Sequence, residues 1–124
     1  MPDDILLDRP LSWRQVGAIA EGGRLALSPA AQSRVEAARR LVESIAARDI
    51  PAYGVNTGVG ALCDVTVTAA EQRQLSRNIV MSSAVGVGPP LENAAVRAII
   101  AAAINNSALG YSGVRLEVMV PPSP

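Results

Sequence analysis

"AAVRAIIAAAINNSAL" runs from Ala94 to Leu109, and before Asn105 its only polar residue is Arg97. Pro89-Pro90 stand ahead of it and Gly110 follows it, so a helix is predicted over roughly Leu91 to Leu109. A helix that is apolar all round is one that other elements enclose on all sides. The few other helices this chain can form are too few to do so. The stretch therefore predicts a mainly α-helical protein whose core is completed by a larger helical assembly, from a second copy or another chain.

The rest of the pattern agrees with an all-helical framework. Ser12 with Gln15 forms a capping box, and Trp13, Val16, Ile19 and Ala20 share one face of a short helix that ends at Gly22-Gly23. "RLALS" is a short extended connector, and Ile5 to Leu7 is a second extended piece within an irregular start. Ser28-Pro29 is a cap followed by proline at the first helical position. From there a helix runs to about Arg48, with Ala31, Val35, Ala38, Val42 and Ile45 as its apolar stripe. Thr68 with Glu71 opens a further helix to about Ser82, with Leu75 and Ile79 expected to be buried. The whole of 1–124 is read as one domain, with a glycine-rich loop at about 51–67 and a proline-rich tail at 121–124. The tail would stop a helix begun near Arg115 and is expected to be a true terminus.

Composition removes several function classes. Eleven basic residues, all arginine, balance 11 acidic ones. Zero net charge gives no electrostatic case for nucleic acid or an anionic membrane. The run Ala98 to Ile104 is far shorter than a bilayer span, and the acidic start is unlike a signal peptide, so a cytoplasmic protein is expected. Cys63 is the single cysteine and there is no histidine, so no metal site is expected. A Ser-His-Asp or Cys-His centre within this chain alone is excluded. Aromatic residues are 2% of the chain, so the core is built from small aliphatic side chains.

Three stretches could carry chemistry. "YGVNTGVG", Tyr53 to Gly60, is either a tight turn with a buried tyrosine or a functional loop. It lacks the Gly-Lys-Ser/Thr and the strand-to-helix setting of a nucleotide cradle. "RNIVMSSAVGVG" sets Asn78, Ser82 and Ser83 at a helix end before a glycine hinge. "NNSALGYSGVR" gathers Asn105, Asn106, Tyr111, Ser112 and Arg115 around a turn, as a local hydrogen-bond network or as the wall of a site.

In this order and spacing the three stretches resemble the aromatic amino acid lyase family, the histidine and phenylalanine ammonia-lyases and related aminomutases. "YGVNTGVG" is similar to that family's Tyr-Gly-(Ile/Val)-Asn-Thr-Gly-Phe-Gly loop. "RNIVMSSAVGVG" is similar to its Arg-Asn-Leu-(Leu/Val)-X-Ser-His-Ala-Ala-Gly-Val-Gly segment, and "GYSGVR" matches its Gly-Tyr-Ser-Gly-Val-Arg turn. The likeness runs from about Leu6 to Val118 and covers only the N-terminal portion of a lyase.

The resemblance implies a large α-helical enzyme, usually a homotetramer, that uses 4-methylidene-imidazol-5-one formed from an internal Ala-Ser-Gly. It gives Tyr53 the role of the base that removes a β-proton. Gly54, Asn56, Thr57, Gly58, Gly60 and Ser83 become substrate-binding or loop residues, and Asn78, Ser82, Asn105, Tyr111 and Arg115 become site wall or structure. Three departures stand out. There is no Ala-Ser-Gly, so this chain makes no such cofactor, and a partner chain would have to supply it. Ser83 replaces the family's histidine, and Val59 replaces the loop's phenylalanine. The expectation is a small subunit of a split lyase-like enzyme. It would join a larger lyase-like chain in a tetramer-like hetero-oligomer and act on an amino acid by ammonia elimination or a 2,3-amino shift. The alternatives are a non-catalytic structural or regulatory helical partner, or a dehydratase-type elimination without the electrophilic ring.

Overall fold

The computed structural model describes residues 4–48 and 50–120, so the expected proline tail lies outside the described residues. The elements, in chain order, are β1 (Ile5–Leu7), α1 (Trp13–Ala20), β2 (Leu25–Leu27), α2 (Pro29–Ala47), α3 (Ala69–Ser83) and α4 (Asn93–Ser107). Short 3₁₀ turns lie at Gly60–Leu62 and Leu116–Val118. Packing divides the chain into two compact units: one takes it to Arg40 and again from Pro90 onward, the other is Leu41–Pro89.

In the first unit, β1 and β2 pair in parallel, with Ile5 opposite Leu25 and Leu7 opposite Leu27. Parallel strands need a crossover, and α1 supplies it. Ser12 and Gln15 form the expected capping box at the start of α1. Val16 is half-buried and Ile19 buried, but Trp13 leaves the expected apolar face and stays 78% exposed. Its ring instead carries the Arg14 guanidinium, 5.1 Å from the ring centre. At the start of α2 the Ser28 hydroxyl accepts from Ala31 N–H (3.0 Å) and donates to Asp8 Oδ1 (2.8 Å). This satisfies one of the free amides of the first turn. The core gathers Leu7, Ala31 and Ala108, with Leu11, Leu25, Leu27 and Ile104 packed around them.

Helix α4 packs on α1, and Arg97 fastens the two. Its Nε donates to Ile19 O and its Nη2 to Gly23 O, both at 2.7 Å. These carbonyls close α1, where a cation is favourable. After α4 the chain turns through Gly110 at φ +84°, pressed against α2: a Cβ there would lie 3.0 Å from both Arg34 Cβ and Arg34 O. Only glycine meets both demands.

Within the chain this helix is not covered all round, as the small number of other helices implied. Ala101 alone is fully buried along α4, while Ile99 and Ile100 are 57% and 53% exposed. α1 and the Leu7–Ala31 core cover one side, and the described residues of the first unit supply no further element for the rest.

In the second unit α3 begins at the expected Thr68–Glu71 box. Glu71 Oε2 accepts from the Thr68 hydroxyl (2.6 Å) and the Thr68 amide (3.1 Å). Leu75 and Ile79, expected to be buried, are half-buried, and Val80 and Met81 are exposed. The second unit has too little chain to bury a full stripe of this helix. Among the described residues no helix is long and apolar enough to cross a membrane, and no His/Cys/Asp/Glu group is arranged to hold a metal ion.

Candidate active site

The glycine-rich loop is held from inside by short polar side chains. Asn56 is 1% exposed. Its Oδ1 accepts from Ala52 N–H (2.8 Å) and its Nδ2 donates to Ile50 O (2.9 Å). Asparagine favours such turns because its side-chain amide substitutes for a backbone partner. Thr57, 2% exposed, donates to Gly58 O (3.0 Å) and accepts from Gly54 N–H (3.4 Å). The far side of the loop is tied by backbone bonds. Gly58 N–H donates to Val65 O (3.0 Å) and Val67 N–H to Asn56 O (2.8 Å), around an antiparallel bridge between Thr57 and Thr66.

These anchors turn the chain sharply at Tyr53–Asn56, where Gly54 takes φ +69°. Tyr53 stands at the head of the turn. Its ring is not buried, as a structural turn would have it, but 68% exposed. The phenolic oxygen accepts a hydrogen bond from Gly60 N–H at 3.2 Å. The loop therefore presents one phenol outward and points a backbone donor at its oxygen. Gly58 is buried within the loop, and Gly60 opens the following 3₁₀ turn.

The remaining candidates divide between the two units. Asn78, Ser82 and Ser83 belong to the second, near the end of α3. Asn78 Oδ1 accepts from Gln74 Nε2 (2.7 Å), and the Ser82 hydroxyl donates to Ile79 O (2.9 Å), so both serve the helix's own surface. Ser83 is the exposed last residue of α3. Asn105, Tyr111 and Arg115 belong to the first unit. Asn105, half-buried on α4, accepts from Leu11 N–H at 2.8 Å and so ties the entry to α1 onto α4. Tyr111, 91% exposed, and Arg115, also exposed, follow the Gly110 turn.

The structure thus brings Tyr53, Gly54, Asn56, Thr57, Gly58 and Gly60 into one self-braced loop. Reading the sequence missed the loop's bracing partners: Ile50, Ala52, Val65 and Val67 contribute only backbone groups, which leave no residue-type signal. A groove of about 370 Å³ lies elsewhere, between α1 and α4, with Ile19, Leu25, Ile100 and Ile104 among its lining. None of the candidate residues lines it, and its Arg97 is engaged with α1.

Comparison with known proteins places the chain in a family. A family model described as aromatic amino acid lyase matches residues 11–120. Histidine ammonia-lyase of Myxococcus xanthus (strain DK1622) is 47% identical over 93 residues, which is 75% of this chain and 18% of that protein. Histidine ammonia-lyase of Sorangium cellulosum (strain So ce56) is 45% identical over 119 residues, 93% of this chain and 23% of that protein. Among solved structures, ergothionase from Treponema denticola superposes with a TM-score of 0.89 at 31% identity, over 94% of this chain and 24% of that one. Tyrosine aminomutase from Streptomyces globisporus gives 0.87 at 31% identity, over 94% and 23%. The chain therefore spans about a fifth of the length of the curated relatives it matches. The chain belongs to the aromatic amino acid lyase family and corresponds to the N-terminal portion of that fold.

Proposed function

We propose that this chain supplies the Tyr53 loop to an ammonia-lyase- or aminomutase-type active site that a separate, larger lyase-like chain completes. The observation that carries this reading is the exposed Tyr53 phenol, braced by a backbone donor on a loop whose polar core is buried. Tyr53 acts as the base toward a β-proton of an amino acid. In that role the phenolate oxygen takes the proton and becomes a neutral phenol, the negative charge passing to the substrate, and the Gly60 amide donates to that oxygen and holds it in place.

The open face of α4, with Ile99 and Ile100, gives the larger chain an apolar surface on which to complete a helical bundle. The sequence has no Ala-Ser-Gly, so the electrophilic 4-methylidene-imidazol-5-one belongs to the partner. When present, that group supplies the electrophile that engages the substrate. This chain's own part is the base and its placement.

Co-expression with a larger lyase-like chain carrying Ala-Ser-Gly tests the proposal. The expected result is a co-purifying hetero-oligomer that releases ammonia from an amino acid or shifts its amino group. Two chains that do not associate overturn it. A second reading, a non-catalytic helical partner, is favoured by one observation: Ser83 stands where the family's histidine is expected, and a hydroxyl does not do an imidazole's work near neutral pH. Stable association without turnover of any amino acid would decide for it.

A further inference from the structure

The structure assigns Asn56 a positioning role: its buried side-chain amide fixes where the Tyr53 phenol stands, without touching substrate. The functional meaning of this assignment rests on the reading of Tyr53 as base.

Asn56 has no surface to offer a ligand, being 1% exposed. Both ends of its amide are already engaged, Oδ1 with Ala52 N–H and Nδ2 with Ile50 O. Those distances, 2.8 and 2.9 Å, are those of well-formed hydrogen bonds. The groups they hold are decisive. Ala52 N–H lies one residue ahead of Tyr53, and Ala52 O in turn accepts from Val55 N–H (3.0 Å) and Asn56 N–H (3.3 Å). The carbonyl of Asn56 accepts from Val67 N–H, so one residue joins the entry of the turn to its exit.

Tyr53 itself is set by little else. With its ring 68% exposed, its place depends on the backbone beneath it and on the Gly60 amide seven residues away. Gly60 N–H meets the phenol only while the Tyr53–Asn56 turn keeps its shape. Asparagine is the residue type that suits this task, because it carries a donor and an acceptor on one short planar group. Aspartate keeps the acceptor for Ala52 N–H but sets a second oxygen against Ile50 O. Alanine leaves both backbone groups without the side chain.

The test is an NMR double-mutant cycle on the full 124-residue chain, free of substrate. Tyr53→Phe removes the hydroxyl, and the resulting change in the Gly60 amide shift reports the contact. In Asn56→Ala and in Asn56→Asp the same hydroxyl removal should move that amide roughly threefold less or weaker still, with the amide shifts of α1 and α4 unchanged. An undiminished effect at Gly60 in either folded variant overturns the assignment. Loss of helical signal in both variants also overturns it, because Asn56 would then be a pillar of the whole fold rather than a local fastener. The readout needs no turnover. An assembled enzyme that stays active with Tyr53→Phe would remove the base reading and leave this result standing.

Discussion

Replacing Gly110 by alanine should destabilise the chain through two separable effects. The residue sits at φ +84°, a conformation that costs an L-residue about 1–2 kcal/mol. The added Cβ would also lie 3.0 Å from Arg34 Cβ and Arg34 O and 3.1 Å from Arg34 C. Those are mainly backbone atoms inside α2, which cannot swing aside as the tip of a side chain could. Overpacking of this kind costs about 1–3 kcal/mol. The sum is about 2–5 kcal/mol, a large share of the stability of a small domain. Gly22→Ala is the control: its φ is +109° but no atom lies within 4 Å of the built Cβ, so it carries the backbone cost without the clash. Urea unfolding followed by far-UV circular dichroism measures both. Gly110→Ala should lower stability by at least about 1 kcal/mol more than Gly22→Ala. Equal losses in the two variants would refute the close approach of the Gly110 turn to α2, and with it the placing of Tyr111 and Arg115 by that contact.

Three further outcomes are expected. The Thr68 hydroxyl and amide hold the Glu71 carboxyl below its usual range. A carboxyl depressed in the folded state contributes fully above its unfolded pKa, and the contribution fades as pH falls through the lower folded value. Acid titration by NMR should therefore show the start of α3 loosening below the usual carboxylate range, and Glu71→Gln should abolish that pH dependence. Arg97→Ala should cost about 1–3 kcal/mol in urea unfolding, because Ile19 O and Gly23 O lose a charged donor. Arg97→Lys should restore only part of it, since one ammonium does not reproduce the two-point geometry of the guanidinium; full restoration would contradict the clamp. In the Asn56→Ala variant, amides 52–67 should exchange with solvent faster while those of α4 do not, as read by hydrogen exchange.

Local chemistry made some of this fold legible beforehand. Ser28-Pro29, Ser12 with Gln15 and Thr68 with Glu71 each mark a helix start within a few residues, and the helices begin there. The pairing of Ile5–Leu7 with Leu25–Leu27 was not legible, because two three-residue strands joined through a helix carry no periodic signal. Exposure was the hardest property to read. Trp13, Leu75 and Ile79 look like core residues by type, yet burial depends on which elements are there to cover them. The apolar surround of α4 signals covering by something, and Ile99 and Ile100 show that the first unit does not provide it.

Within the loop, Tyr53 stood out by type, but whether it is buried in a tight turn or belongs to a functional loop was open. The answer depends on backbone groups of Ile50, Ala52 and Gly60 that any residue could supply. Asn105 was open between a local network and a site wall, and its oxygen is taken by Leu11 N–H. Asn78 and Ser82 bond within their own helix, which a motif alone does not reveal.

The base role proposed for Tyr53 is tested most directly in the proposed assembly with a larger lyase-like chain. The Tyr53→Phe variant is co-purified with the larger chain, and amino acid turnover is measured beside the unmodified assembly. A phenol acting as base contributes about 10²–10⁴-fold, so turnover should fall by that factor or below detection while the hetero-oligomer keeps its size. Turnover within about twofold of the unmodified assembly would contradict the assignment of Tyr53 as the base.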